Sequence, residues 1–413
     1  MQIDKFLLTD SWTGKLTQKM SAPVLTEWLL LASVFLLWYE GLFTKIGLGL
    51  LNSYFIVPVL LVLAFLFADK SKIRISRSTI YLISFFVLLL VSGVFAAGRG
   101  ISPKLIILGW LLYIQFLISM IASAGSINAG RLIKNIIIIS VPMVIAGGYQ
   151  FVTKQTTSAL WITPVEASIT TRAFAFLGSP NVLGGVLAIT ALLSGSLYFE
   201  KKDKFMLAVS VLSVIVLGFT FSRSAWLGFA IGFLVILLVK NWKLVILLPL
   251  VLVGLLSSQI RTRIYTVFTP TYWFDSALDG RLWSLNNGFN LLSKYPLLGT
   301  GPGTYGGQLA VHGASPVYLQ GIQNGYVALY FTDNQWLQIL VQTGLVGFLL
   351  FTLFAVNIFA ELIVKYNKTK IWTYLGITGA LVAFSVTAIF GNVLEFGAIA
   401  IPMGIILGAA QSE

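Results

Sequence analysis

The chain has no cysteine and a single histidine, His312. The first absence excludes disulfides, thiolate metal ligands and cysteine nucleophiles, and the second excludes a multi-histidine metal site. Charge is scarce as well. Asp, Glu, Lys and Arg make up 10% of the 413 residues, against about 25% in soluble globular domains. So few charges cannot cover a surface that meets water on all sides. Apolar residues are abundant instead, at 57%, and mean hydropathy is +0.91. The chain therefore reads as an all-α, polytopic membrane protein, a single integral membrane domain over 1–413 whose outer surface meets lipid.

A membrane helix needs about 20 mostly apolar residues. Twelve runs are read as spans: 25–43, 46–68, 79–97, 105–124, 136–153, 181–199, 205–221, 225–239, 243–259, 335–362, 371–390 and 393–410. The pair 205–221 and 225–239 is short, and only Ser222-Arg223-Ser224 separates the two. A tight hairpin is the better reading, because an arginine in mid-span is costly in lipid. The last two spans join tightly around Gly391 and Asn392. Residues 1–24 are polar and mixed in charge, unlike a cleavable signal. Ile3, Phe6, Leu7 and Leu16 there can share one face on the membrane surface.

The net charge of +13 would point to nucleic acid in a soluble protein. Here it reads first as topology. Basic clusters at Lys70/Lys72/Arg74/Arg77, Lys201/Lys202/Lys204 and Lys365/Lys368/Lys370 fall on alternate connections, which makes those connections cytoplasmic. Both termini are then cytoplasmic, and 260–334 becomes a large external loop. Loops of that length without a role are uncommon. Segment 154–180 is a second external one.

Four external segments carry arginine: Arg172, Arg223, the Arg261/Arg263 pair and Arg281. Each alone is explained by snorkelling to headgroups. Together they run against the positive-inside trend, and guanidinium forks suit phosphate oxygens. They point to a lipid-linked phosphate or diphosphate. In the same loop, Leu278, Leu282, Leu285, Phe289 and Leu292 predict an amphipathic helix over 278–292, capped by Asp275, Ser276 or Asp279 and ended by Pro296. The glycine-rich run 299–307 is either a plain turn or a backbone cradle, and it lacks the Gly-Lys-Ser/Thr of a P-loop. Asp275 and Asp279 are caps or a weak cation pair. Asp333 is an N-cap or a general base. His312 reads as passive. The aromatics Trp161, Tyr265, Tyr272, Trp273, Trp283, Tyr305, Tyr318, Tyr326 and Tyr330 suit an interfacial belt or a groove for a sugar chain.

Four of these segments, in their order, resemble the O-antigen ligase and O-antigen polymerase superfamily. They are Arg172 through Pro180-Asn181; Phe219-Thr-Phe-Ser-Arg223-Ser-Ala-Trp-Leu-Gly228; Gly280-Arg281-Leu-Trp283 with Tyr295-Pro-Leu-Leu-Gly299-Thr-Gly301; and Asp333-Asn334, nine residues, then Gly344-Leu-Val-Gly347. The ligase pattern has histidine where this chain has Asp333, and polymerase-type relatives vary more there.

The resemblance implies a membrane glycosyltransferase in a prokaryotic plasma membrane, working on the external side without metal or cofactor. Its donor would be a glycan on a polyprenyl diphosphate, and its acceptor a glycan, lipid or protein hydroxyl. Asp333, Arg223 and Arg281 take the catalytic roles. Arg172, Asn181, Arg261, Arg263, Trp283, Asn334 and Tyr305 bind diphosphate or glycan. Polymerase is favoured over ligase, with protein O-glycosylation open. The rival from another class is a transporter of small anions or lipid-linked sugars, with Pro58, Pro142, Pro249 and Pro402 as possible helix breaks.

Overall fold

The computed structural model describes residues 21–48, 53–125, 128–157, 171–241, 243, 261, 265–313, 315 and 332–412. Among them every regular element is helical. Seven helices are long and apolar enough to cross a membrane. They are α1 (Ala22–Lys45), α3 (Arg77–Gly98), α4 (Pro103–Ala124), α5 (Ala129–Val152), α6 (Pro180–Lys201), α8 (Arg223–Asn241) and α12 (Gln335–Thr369). Four shorter apolar helices accompany them: α2 (Ser53–Phe67), α7 (Lys204–Phe219), α13 (Trp372–Thr387) and α14 (Gly397–Gln411). The polar part between α8 and α12 forms α9 (Pro270–Asp279), α10 (Arg281–Lys294) and the single-turn α11 (Gln308–His312). The predicted span 243–259, the N-terminal stretch before residue 21, and Arg263, Trp161, Tyr318, Tyr326 and Tyr330 lie outside the described residues. So do the side chains of Asp275 and Asp279.

Large apolar side chains stand exposed along the outer helices, among them Phe55, Val94, Ile107, Ile145, Val211 and Leu349. Such faces suit contact with lipid. α6 is the central helix, with most of its surface inside the protein. Close helix approach there rests on small residues. A Cβ at Gly408 of α14 would lie 1.8 Å from the Met120 carbonyl of α4, and one at Gly232 of α8 would lie 2.4 Å from the Gly379 carbonyl of α13.

One end of the bundle is stitched by carboxylates placed on neighbouring helix starts, where unpaired N–H groups and the helix dipole favour an anion. Glu27 accepts from the Asn128 N–H and binds Arg131, Glu361 accepts from the Ser78 N–H, and Glu200 accepts from the Thr373 N–H. The arginine-bearing loops gather at the other end.

The structure corrects three expectations. The amphipathic helix does not start at 278. Gly280 separates α9 from α10, and the Leu282 N–H bonds to Ser276 Oγ across the joint. The last helix starts at Gly397 rather than 393, so Glu395 sits in the connection and not in a span. Span ten is not one continuous helix. Gly344 breaks α12 with φ 66° and ψ −169°, a conformation open to glycine. The chain leading into the glycine-rich run enters this break. The Leu345 N–H bonds to the Pro296 carbonyl at 2.8 Å, while Thr300 and Gly301 donate to the carbonyls of Val341 and Gln342 at 2.9 and 3.0 Å. Ser92 Oγ adds bonds to Leu298 and Gln342 carbonyls. Non-helical backbone at depth needs such internal partners.

Candidate active site

The Arg172 strap, 171–179, is held from three sides. Ala173 donates to the Phe219 carbonyl at 2.9 Å. Gln150 of α5 accepts from Phe174 and Ala175 N–H and donates to the Ala175 carbonyl. A Cβ at Gly41 would meet the Phe176 carbonyl at 2.2 Å, so α1 needs glycine at that point of approach, and the Tyr39 ring packs on Phe176 beside it. Arg172 is thereby buried, 3% exposed. Its guanidinium donates to the Thr220 carbonyl and to Asn181 Oδ1, both at 3.0 Å. Burial, and then the charge of Arg223, pull its pKa down to about 10, so it stays cationic at neutral pH.

The turn Thr220–Ser222 joins α7 to α8 as the predicted hairpin, with Phe221 at φ 50°. It puts Arg223 on the first residue of α8. Its Nη1 donates to Thr266 Oγ1 at 3.0 Å, and the guanidinium lies 5.5 Å from the Tyr272 ring. Arg281 opens α10. Its Nη2 stands 3.5 Å from Asp333 Oδ2 and 3.4 Å from the Phe390 carbonyl. Arg223 is close enough to both Arg172 and Arg281 for their positive charges to act on one another. Three guanidinium groups thus follow one another, with Asp333 the carboxylate at the far end. Like charges so placed repel, and a multivalent anion relieves that repulsion.

Asp333 has φ 48°, a left-handed conformation that aspartate tolerates better than most residues. It is not the helix cap. Asn334 fills that role, its Oδ1 accepting from the Leu337 N–H at 3.0 Å. The turn before the cap frees the Asp333 carboxylate to face Arg281. The side chain is 49% exposed, yet it sits in a recess with protein mass around it. Burial pushes its pKa above the usual aspartate value, while the charge and hydrogen bond of Arg281 oppose that rise. The exposed part of the side chain leaves it open to a substrate.

Of the remaining expected residues, Trp283 lies half-buried on α10 and Arg261 is exposed. Tyr305 is corrected. It is 1% exposed, its hydroxyl donates to the Ser284 carbonyl, and its own carbonyl accepts from Gln342 Nε2. Its ring packs α10 onto α12 and cannot receive a glycan. The glycine run is a packing element too. Gly303 abuts Gly109 of α4, where a Cβ would meet backbone at 2.4 Å. His312 is exposed and pairs with Gln308 Oε1 at 3.1 Å. Among the described residues no group of three or more His, Asp or Glu side chains could hold a metal ion.

The structure adds polar residues that the sequence reading passed over. Gln335, Gln338 and Gln342 form a stripe on α12. Gln335 Nε2 bonds to Tyr113 and Gln338, and its Oε1 accepts from Leu394 N–H. Gln338 accepts from Asn392 and donates to Glu395, which also accepts from the Gln308 N–H at 2.7 Å. Burial pushes the Glu395 pKa up to about 7, the two hydrogen bonds working against it. Glutamine at i, i+3 and i+7 in an apolar run was the available signal.

Residues 208–352 match the family model of the O-antigen ligases. The matched part runs from α7 past the break in α12 and contains Arg223, Arg281, Asp333, Asn334, Gly344 and Gly347. Arg172, Asn181 and Glu395 lie outside it. No curated protein matches the chain.

Proposed function

We propose that the protein transfers a glycan from a polyprenyl diphosphate donor to an acceptor hydroxyl at the membrane surface. The observation that carries this reading is the row Arg172–Arg223–Arg281 ending on Asp333, inside and beside the region matched to O-antigen ligases.

Arg223 and Arg281 hold the diphosphate oxygens. Arg172, bonded to Asn181 and the Thr220 carbonyl, stiffens the strap and adds positive potential from beneath. As the anomeric carbon–oxygen bond breaks, negative charge grows on the leaving diphosphate, and fixed cations stabilise that charge more than they stabilise the bound donor. Asp333 takes the proton of the acceptor hydroxyl while the new glycosidic bond forms on the opposite face of the sugar, so the anomeric centre inverts. A raised carboxylate pKa makes a better base, and such a group contributes roughly 10²–10⁴-fold. Before the acceptor arrives, Arg281 holds the Asp333 carboxylate in place. No metal or cofactor enters this scheme.

The site-bearing end of the bundle faces the outside of a prokaryotic plasma membrane, both termini are cytoplasmic, and the chain crosses twelve times. The basic clusters on the alternate connections support this orientation. Asp333, standing where the resembling ligases carry histidine, favours the polymerase form, in which the acceptor is a second lipid-linked glycan. Incubating the purified protein with a lipid-linked glycan and sizing the products tests the reading. Longer lipid-linked chains support polymerisation, and products on added lipid or protein acceptor point to the ligase form. Transport of the intact donor without bond cleavage would sink it.

A further inference from the structure

A cavity of about 330 Å³ is bounded by α1, α4, the end of the strap with the start of α6 (176–182), and the segment 394–401. Its size lies at the low end of small-molecule sites, about 300–1,000 Å³. Two carboxylates, Glu40 and Glu395, line it, together with Gln115 and the apolar faces of Phe176, Leu177 and Phe396. Of the two loops on its border, one carries Arg172 and the other touches Arg281. The strap holds Arg172 and leads into Asn181, and the 388–396 connection offers the Phe390 carbonyl to Arg281. Glu395 is tied through Gln338 to α12, and the Gln338 N–H bonds to the Asn334 carbonyl, next to Asp333.

We propose that this cavity is the acceptor saccharide subsite, and that its two carboxylates select neutral or amino sugars over acidic ones. The inference rests on the glycosyl-transfer reading and adds to it a place and a selectivity for the acceptor. Carboxylate oxygens accept hydrogen bonds from sugar hydroxyls and ammonium groups. The rings of Phe176 and Phe396 suit the apolar face of a pyranose. A uronate or phosphorylated sugar would bring a further negative charge beside the Glu40 carboxylate and the buried Glu395 carboxyl, which like-charge repulsion in a partly dehydrated site disfavours. The diphosphate donor belongs to the arginine side for the same reason. A lipid chain filling the same space is disfavoured by the carboxylates, and the experiment below detects it.

The test uses the full chain in nanodiscs and three probes: methyl glucoside, methyl glucosaminide and methyl glucuronide, followed by saturation-transfer NMR. The first two are expected to bind, with the glucuronide weaker by about tenfold, a difference equivalent to about 1.4 kcal/mol. Glu40→Gln with Glu395→Gln should bring the glucuronide to parity. Leu177→Trp, which fills the cavity from a half-buried position on its wall, should abolish all three signals while the thermal midpoint stays near that of the wild type. Glu40→Gln alone serves if either of the others fails to fold, and it should narrow the contrast. Equal binding of the three probes to the wild type, binding that survives Leu177→Trp, or no probe binding because lipid occupies the cavity would each overturn the proposal. These readouts need no turnover. If no glycan transfer is ever observed, the functional reading falls while the sugar selectivity is still decided.

Discussion

Glu395 gives the sharpest quantitative prediction. Its carboxyl sits in the connection between α13 and α14, accepting from Gln338 Nε2 and the Gln308 N–H. Gly307 packs against it so closely that a Cβ there would overlap its oxygens. Burial raises its pKa from an ordinary 4.5 to about 7. The folded state therefore holds this proton more tightly than the unfolded state. The associated stability is fully present below pH 4.5 and is lost as pH rises through 7. At about 1.4 kcal/mol per pH unit, the loss amounts to about 3 kcal/mol between pH 4.5 and pH 8. Glu395→Gln removes the titration. Glutamine keeps one acceptor but turns a donor toward the second partner, which costs about 1 kcal/mol or more at every pH. The variant should therefore be less stable than the wild type at pH 5 and equal to or above it at pH 8. Thermal or denaturant midpoints in detergent at the two pH values measure this directly. Asp333 titrates in the same direction, and comparing variant with wild type removes its contribution. A pH dependence that is identical in the two proteins would refute the assigned burial of Glu395.

Asp333→Asn should lower transfer by roughly 10²–10⁴-fold with donor affinity retained. Asp333→His should restore part of the rate, and the acidic limb of its pH profile should move to about 6.5; an unchanged profile would argue that residue 333 does not carry the proton. Gly344→Val forces a branched side chain into φ 66° and toward the Leu297 carbonyl, 2.3 Å from a Cβ. It should cost several kcal/mol in unfolding assays, beginning with about 1–2 kcal/mol for the backbone alone. The absence of cysteine makes the chain ready for accessibility labelling. A single cysteine at Ser293 should react with an impermeant maleimide from outside and one at Ser71 only after permeabilisation; the reverse pattern would invert the proposed topology.

Much of the helical layout was legible because an apolar run of span length has few alternatives in lipid. The hairpin at Ser222-Arg223-Ser224 followed from the cost of a mid-span arginine, and α8 begins at Arg223. Three things were not legible. The break at Gly344 depends on a partner segment, 296–301, that is distant in sequence and becomes visible only once it docks. Gly280 looked like an interior residue of an amphipathic run, yet it separates two helices, because periodicity does not register a change of axis. Tyr305 looked like a surface aromatic because its neighbours are glycines, but those glycines bring backbone so close to α4 and α12 that the ring is sealed under α10. Asp333 shows the opposite case. The Asp-Asn pair left the cap ambiguous, and the structure gives it to Asn334, releasing the aspartate toward Arg281.

The arginine row and Asp333 stand or fall on one experiment. Purified protein in liposomes is given a lipid-linked glycan, and release of polyprenyl diphosphate is followed together with glycan size. We predict release coupled to new glycosidic bonds in the wild type, and loss of both with Arg223→Ala or Arg281→Ala in protein of unchanged thermal midpoint. Undiminished release and bond formation in both arginine variants would contradict the assignment of these side chains to the diphosphate.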